Sequence, residues 1–126
     1  MFIEGNFPSS LCITYKFNDQ DVIAFKSDLD IKTVQAAHPL IERAIEEADS
    51  NVLVDMSAVN FIDSSGITAL LYLYKRLIKA NRTLSLIGVK EQPLHLLHLF
   101  GVNQVLTFYD SLDTCIQALS SPVNQV

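Results

Sequence analysis

The run Val52-Leu53-Val54-Asp55-Met56 limits the fold more than any other stretch, because it is short and almost continuously apolar. Side chains of a strand alternate between its two faces, so a strand apolar at successive positions is covered on both sides. That describes a central strand in a sheet flanked by helices. The longest amphipathic segment follows it. Over residues 64–81, Ile67, Leu70, Leu71, Tyr74, Leu77 and Ile78 share one stripe, and Lys75, Arg76 and Lys79 gather near the end, where cations suit the helix dipole. Asn81 is a natural stop.

The other elements arrange themselves around this strand and helix. Residues 10–17 and 21–25 are β-branched, aromatic or alternating, and Asn18-Asp19-Gln20 between them supplies turn chemistry, which predicts a hairpin. Val34, Ala37, Ile41, Ala44, Ile45 and Ala48 recur at helical spacing, with Glu42, Arg43, Glu46 and Glu47 on the other side. Pro39 lies inside that pattern and removes a backbone donor, so the helix either kinks there or begins later, and its first residue stays open. Residues 83–88 read as a strand. Residues 93–100 read as a third helix, with Pro93 in its first turn and Gly101 as its cap. A last short strand over 105–108 and a last helix over 111–119, opened by Asp110 or Ser111, complete the order. The expectation is one α/β domain over residues 1–119, with a mixed central sheet of four to five strands flanked by about four helices and a frayed tail at 120–126.

Composition narrows the function. Apolar residues make up 49% and charged residues 18% of the 126, as in globular chains. Nine Lys plus Arg against fourteen Asp plus Glu give a net charge of −5 with no basic cluster, so neither nucleic acid nor an anionic membrane is an expected ligand. Residues 1–10 contain Glu4 and lack a basic start and an apolar run, which predicts no signal peptide; with no stretch of about 18 apolar residues either, direct membrane insertion is not expected and the cytoplasm is the expected compartment. Cys12 and Cys115 match no metal or redox spacing and read as reduced core residues.

Polar chemistry is concentrated in residues 51–71, where the apolar strand leads through a loop into Phe61-Ile62-Asp63-Ser64-Ser65-Gly66 and the long helix. A helix start offers unpaired N–H groups and a partial positive charge, so a phosphate on Ser65 would be tolerated there. Gly66 lacks a side chain and would let a second protein approach that hydroxyl. At 100° per residue, Ser65, Ala69, Tyr72 and Arg76 fall on one side, roughly opposite Ile67 and Tyr74, and are expected to face solvent or a partner. Taken alone, Asp63, Ser64 and Ser65 also read as ordinary helix-capping residues, and chemistry by itself favours that reading. Tyr72 and Leu73 read as a partner surface or as scattered apolar residues, with a monomer expected in isolation.

Other chemistries have less support. Gly-x-Ser-x-Gly is absent, since Ile62 and Gly66 flank the serine pair. His95 and His98 stand i, i+3 without a third ligand nearby in sequence, and Asp55 with Asp63 reads better as two capping groups than as a magnesium pair. No phosphate-binding glycine motif occurs.

The string from Val52-Leu53-Val54-Asp55-Met56-Ser57 to Phe61-Ile62-Asp63-Ser64-Ser65-Gly66-Ile67 resembles the STAS domains, and specifically the bacterial anti-sigma factor antagonists. Ser27-Asp28-Leu29-Asp30 is similar to the family's Gly-x-Leu-Asp turn, the residues at 84–88 to its next strand, and Gly101-Val102 with Val105-Leu106 to its closing segment, so the resemblance spans residues 11–119. It implies that Ser65 is the phosphoacceptor, surrounded by Asp30, Asp63, Ser64 and Gly66. It implies as partners an anti-sigma factor serine kinase of the histidine-kinase-like ATPase fold, bound by the unphosphorylated form, and a PP2C-type phosphatase that restores it. No catalysis, cofactor or metal is implied. Ser27 replaces the usual glycine and Pro39 interrupts the first helix, which qualifies local geometry more than function. The alternative within the same fold is a scaffold or accessory subunit of a stress-signalling assembly or a lipid or anion transport complex.

Overall fold

The computed structural model of the chain describes residues 11–47 and 50–120. The signal-peptide expectation at 1–10, Ala48 of the first helical stripe, and all of the expected frayed tail except Ser120 lie outside the described residues.

Among the described residues, five strands and four helices follow the order expected. Strands β1 (Cys12–Phe17) and β2 (Gln20–Phe25) are antiparallel, with Phe17 opposite Gln20. Their two-residue turn, Asn18-Asp19, has both φ values positive, at 49° and 67°, the primed geometry that suits strand twist and that Asn and Asp tolerate. Gln20, expected in the turn, therefore opens β2. Helix α1 (Ile31–Glu47) leads to β3 (Val52–Asp55), which lies in the middle of the sheet order β1-β2-β3-β4-β5. Helix α2 (Ser64–Lys79), β4 (Leu84–Ile87), α3 (Glu91–Leu99), β5 (Thr107–Tyr109) and α4 (Leu112–Ser120) follow, and β2 to β5 run parallel. No helix among the described residues is long and apolar enough to cross a membrane.

Strand alternation divides the interior into two layers. Ile23, Phe25, Val52, Val54, Leu84 and Leu86 pack with Ala37 of α1, Leu70, Leu73 and Leu77 of α2 and Leu97 of α3. Val22, Leu53 and Ile87 turn the other way and pack with Cys115 of α4. This double cover is what the apolar run at β3 requires.

Pro39 does not delay α1. Asp30 accepts the Thr33 N–H at 3.0 Å, so the helix starts at Ile31 and continues through the proline. Pro39 and Gln35, whose carbonyl loses its helical i+4 donor there, are both exposed. Helix α2 ends as Asn81 suggested. With Asn81 at φ 60°, its N–H donates to the Ile78 carbonyl and that of Arg82 to the Leu77 carbonyl, the paired bonds of a left-handed cap. Gly101, also left-handed at φ 75°, follows α3, and its N–H donates to the His98 carbonyl at 3.0 Å.

Two expectations are corrected. The last strand begins at Thr107, not Val105, because residues 102–104 form a 3₁₀ turn whose Val102 carbonyl accepts from both Val105 and Leu106. On α2 the buried arc is rotated from the stripe predicted: Leu73 is 1% exposed, whereas Ile78 is 47% exposed. Helix α1 packs on α2, with its Glu42 bonded to Tyr72 and facing Arg76.

Cys12 and Cys115 are free, buried thiols. Burial pushes Cys12 up to about 12 and raises Cys115 as well. Since the thiolate is the reactive form, iodoacetamide at pH 8 is expected to leave both unmodified in the native chain and to label both in denaturant. Native labelling at the denatured rate would contradict this burial.

Candidate functional site

The site is built on the connection from β3 to α2. Asp55, at the end of β3, closes a tight turn by accepting the Ser57 N–H at 3.0 Å and hydroxyl at 2.8 Å. Met56 and Val59 then bury completely and fix the loop to the core. Residues 60–63 belong to no named strand or helix, yet their backbone N–H groups are all satisfied. Asp28 Oδ1 accepts from Asn60 at 3.1 Å and Phe61 at 3.2 Å, Gln92 Oε1 accepts from Ile62 at 2.9 Å, and the Leu29 carbonyl accepts from Asp63 at 3.3 Å. In return the Leu29 N–H donates to the Phe61 carbonyl at 2.9 Å. The 27–30 turn and the Ser65 segment, distant in sequence, are thus one hydrogen-bonded unit with a bridge between Leu29 and Ile62.

Asp63 is the N-cap of α2 and its Oδ1 accepts from Ser65 N–H at 2.9 Å and Gly66 N–H at 3.3 Å. The positive helix start expected to receive a phosphate is therefore already occupied by a carboxylate. Ser64 is exposed and Ser65 half-buried, and the Ser65 hydroxyl has no hydrogen-bond partner among the described residues. Asp30 caps α1, and the Thr33 N–H holds its carboxyl below the ordinary carboxylate range. Asp30 and Asp63 thus start the two helices that leave this unit, while exposed Ile31 and Phe61 give the same edge an apolar component.

The role expected of Gly66 is corrected. A Cβ on Gly66 would lie 2.7 Å from the Leu29 carbonyl oxygen and 3.1 Å from its Cγ. The glycine admits the chain's own 27–30 turn, not an incoming partner.

The face expected to carry Ala69, Tyr72 and Arg76 is also corrected in part. Ala69 is only 9% exposed, on a helix that α1 packs against. Tyr72 and Arg76 reach the surface but are tied to α1. The Tyr72 hydroxyl donates to the Glu42 carboxylate, Arg76 Nη1 donates to that hydroxyl at 2.6 Å and stands 3.6 Å from Glu42, and His38 Nε2 is 3.7 Å from Glu42. The bond to Glu42 raises the Tyr72 pKa and keeps the phenol a donor. This cluster joins two helices and adds a mixed-charge surface beside the site.

Asp55 and Asp63 each satisfy local N–H groups, as capping carboxylates do. Among the described residues no group of three His, Cys, Asp or Glu converges as a metal site. His98 lies edge-on to Phe108, with ring centroids 6.3 Å apart. Asp28 and Gln92, which hold the segment in place, were not predicted as site residues. Each acts on backbone about thirty residues away and carries no local sequence signal.

A family model described as the STAS domain matches residues 13–115. Over 70 residues the chain is 39% identical to Sulfate transporter 2.1 of Arabidopsis thaliana, a match covering 51% of the chain. It spans about a tenth of that curated relative, 10% of its length. Among solved structures, an anti-sigma-factor antagonist (STAS) domain protein from Planctomyces limnophilus superposes with a TM-score of 0.80 at 22% identity, covering 87% of this chain and 98% of the other. The Bacillus cell fate determinant SpoIIAA in its phosphorylated form gives 0.69 at 17% identity, covering 86% and 98%. At these identities the two solved structures speak to a shared fold.

Proposed function

The chain belongs to the STAS domain family, and from that membership we propose that it acts as an anti-sigma factor antagonist whose binding is switched off by phosphorylation of Ser65. In this reading residues 1–119 are one STAS domain, a cytoplasmic monomer that serves as ligand and substrate and catalyses nothing itself. The unphosphorylated form binds an anti-sigma factor serine kinase of the histidine-kinase-like ATPase fold and so frees a sigma factor. A PP2C-type phosphatase resets it.

The observation that carries the proposal is the unpartnered, half-buried Ser65 hydroxyl directly behind the Asp63 cap. Phosphate would add between one and two negative charges beside a carboxylate that already holds the first N–H groups of α2. Asp28 and Asp30 lie in the segment bonded to it, so the modified edge would become strongly acidic. A partner that contacts Ile31, Phe61 and Ser64 at this edge would meet that charge directly.

The test is phosphate transfer from ATP by each candidate serine kinase, with site mapping and binding measured on variants. Ser65→Ala is expected to abolish labelling and keep kinase affinity, and Ser65→Asp to weaken affinity by about tenfold or more. Equal affinity for Ser65→Ala and Ser65→Asp, or no phosphate from any such kinase, would sink the proposal. A second reading, a STAS subunit of an anion transport complex, draws support from the identity to the plant sulfate transporter. Co-purification with a permease in the absence of Ser65 phosphate would favour it.

A further inference from the structure

The Ile62 peptide has both of its polar groups satisfied by one side chain. Gln92 Oε1 accepts the Ile62 N–H at 2.9 Å, and Gln92 Nε2 donates to the Ile62 carbonyl at 3.2 Å. A primary amide thereby replaces the neighbouring strand that this peptide lacks. The arrangement needs both a donor and an acceptor at one side-chain terminus, which Asn and Gln provide.

Gln92 is well placed to hold something still. It lies in the first turn of α3, a helix fixed by buried Pro93 and Leu97. Beside it, Lys90 Nζ donates to Asn60 Oδ1 at 3.3 Å, a second link between the start of α3 and the same segment. Ile62 itself is 0% exposed, so water cannot readily replace the amide if it is removed. On the opposite side Asp28 and Leu29 hold Asn60, Phe61 and Asp63, so the segment is gripped between the 27–30 turn and α3. Ser65 is three residues beyond the Gln92 contact, and only the Asp63 cap lies between them in the bonding order.

We infer that Gln92 is a positioning residue, fixing the Ile62 peptide so that the Asp63 cap and the Ser65 hydroxyl are presented in one geometry to the enzyme that modifies it. The inference rests on the reading of Ser65 as phosphoacceptor and adds a residue of α3 to that site. A group transfer needs its acceptor oxygen held in line, and a small displacement of that oxygen costs rate more than it costs docking.

The experiment compares wild type, Gln92→Met and Gln92→Glu in the full chain. Its readouts are amide hydrogen exchange at Ile62 and steady-state phosphorylation of Ser65. Gln92→Met keeps the length and loses both hydrogen bonds. Ile62 exchange is expected to speed by about tenfold or more, and kcat for phosphorylation to fall by about the same factor with KM little changed. Exchange at Leu84 and Leu86 of β4 stays at the wild-type rate. Gln92→Glu still accepts from the Ile62 N–H and is expected to recover part of the protection at Ile62. Unchanged exchange at Ile62 in Gln92→Met overturns the inference, as does unchanged kcat with faster exchange, which would leave Gln92 merely structural. A wild-type chain that takes no phosphate removes the functional reading alone, and the Ile62 exchange still decides whether Gln92 holds this peptide.

Discussion

Replacing Arg82 with methionine is expected to lower the free energy of unfolding by about 2–4 kcal/mol, a shift readable as an earlier urea midpoint with an unchanged slope. Arg82 is 7% exposed, unusual burial for a guanidinium. Its Nε donates to the Ser50 carbonyl at 2.6 Å, Nη1 to Ile45 at 3.1 Å and Nη2 to Ala44 at 3.2 Å. The last turn of α1 contains no basic residue of its own, so the cation that complements its negative end arrives from the turn between α2 and β4. Removing the fork takes a charged donor from three carbonyls near the entry to the central strand. Arg82→Lys tests the geometry, because one ammonium group cannot reproduce a planar fork aimed at three acceptors, and an intermediate loss is expected. If both variants unfold within about 0.5 kcal/mol of wild type, as ordinary surface changes do, the bonds contribute little and packing alone fixes α1.

Sequence reading succeeded where the cause was local and failed where it was not. The positive φ values at Asn18, Asp19, Asn81 and Gly101 follow from residue type and spacing, as do the cap at Ser111, whose hydroxyl accepts the Thr114 N–H, and the central place of Val52–Asp55. In contrast, Arg82, Asp28 and Gln92 bond to backbone about thirty residues or more away, and nothing in their flanking residues marks them out. The same limit explains Ala69. A helical projection orders the residues of α2 around its axis, but which arc is covered depends on where α1 lands. Ser65 is proposed from its neighbours in sequence; the two clamps that hold its segment became visible only when distant chain segments met.

Gly66 tests the link between that segment and stability most directly. In an ordinary helix Gly→Ala gains up to about 1 kcal/mol, since alanine loses less backbone freedom on folding. Here Gly66→Ala is expected to reverse the sign and cost about 1–3 kcal/mol, the range for overpacking a close contact. The atom 2.7 Å from the new Cβ is a backbone carbonyl, Leu29 O, which cannot swing away as a side-chain end could. That carbonyl also accepts the Asp63 N–H, while Leu29 N–H donates to Phe61, so moving it strains both edges of the Ser65 segment. On the proposed reading of Ser65 as phosphoacceptor, its phosphorylation in Gly66→Ala is therefore expected to fall even where the chain stays folded. Gly101→Ala provides the contrast, since nothing lies within 4 Å of its Cβ and only the left-handed backbone, at φ 75°, costs about 1–2 kcal/mol. Loss of stability without loss of phosphorylation is the expected result for Gly101→Ala, and loss of both for Gly66→Ala. A neutral or stabilising Gly66→Ala would mean that the 27–30 turn yields to the methyl group, and that the close approach of Leu29 does not fix the segment carrying Ser65.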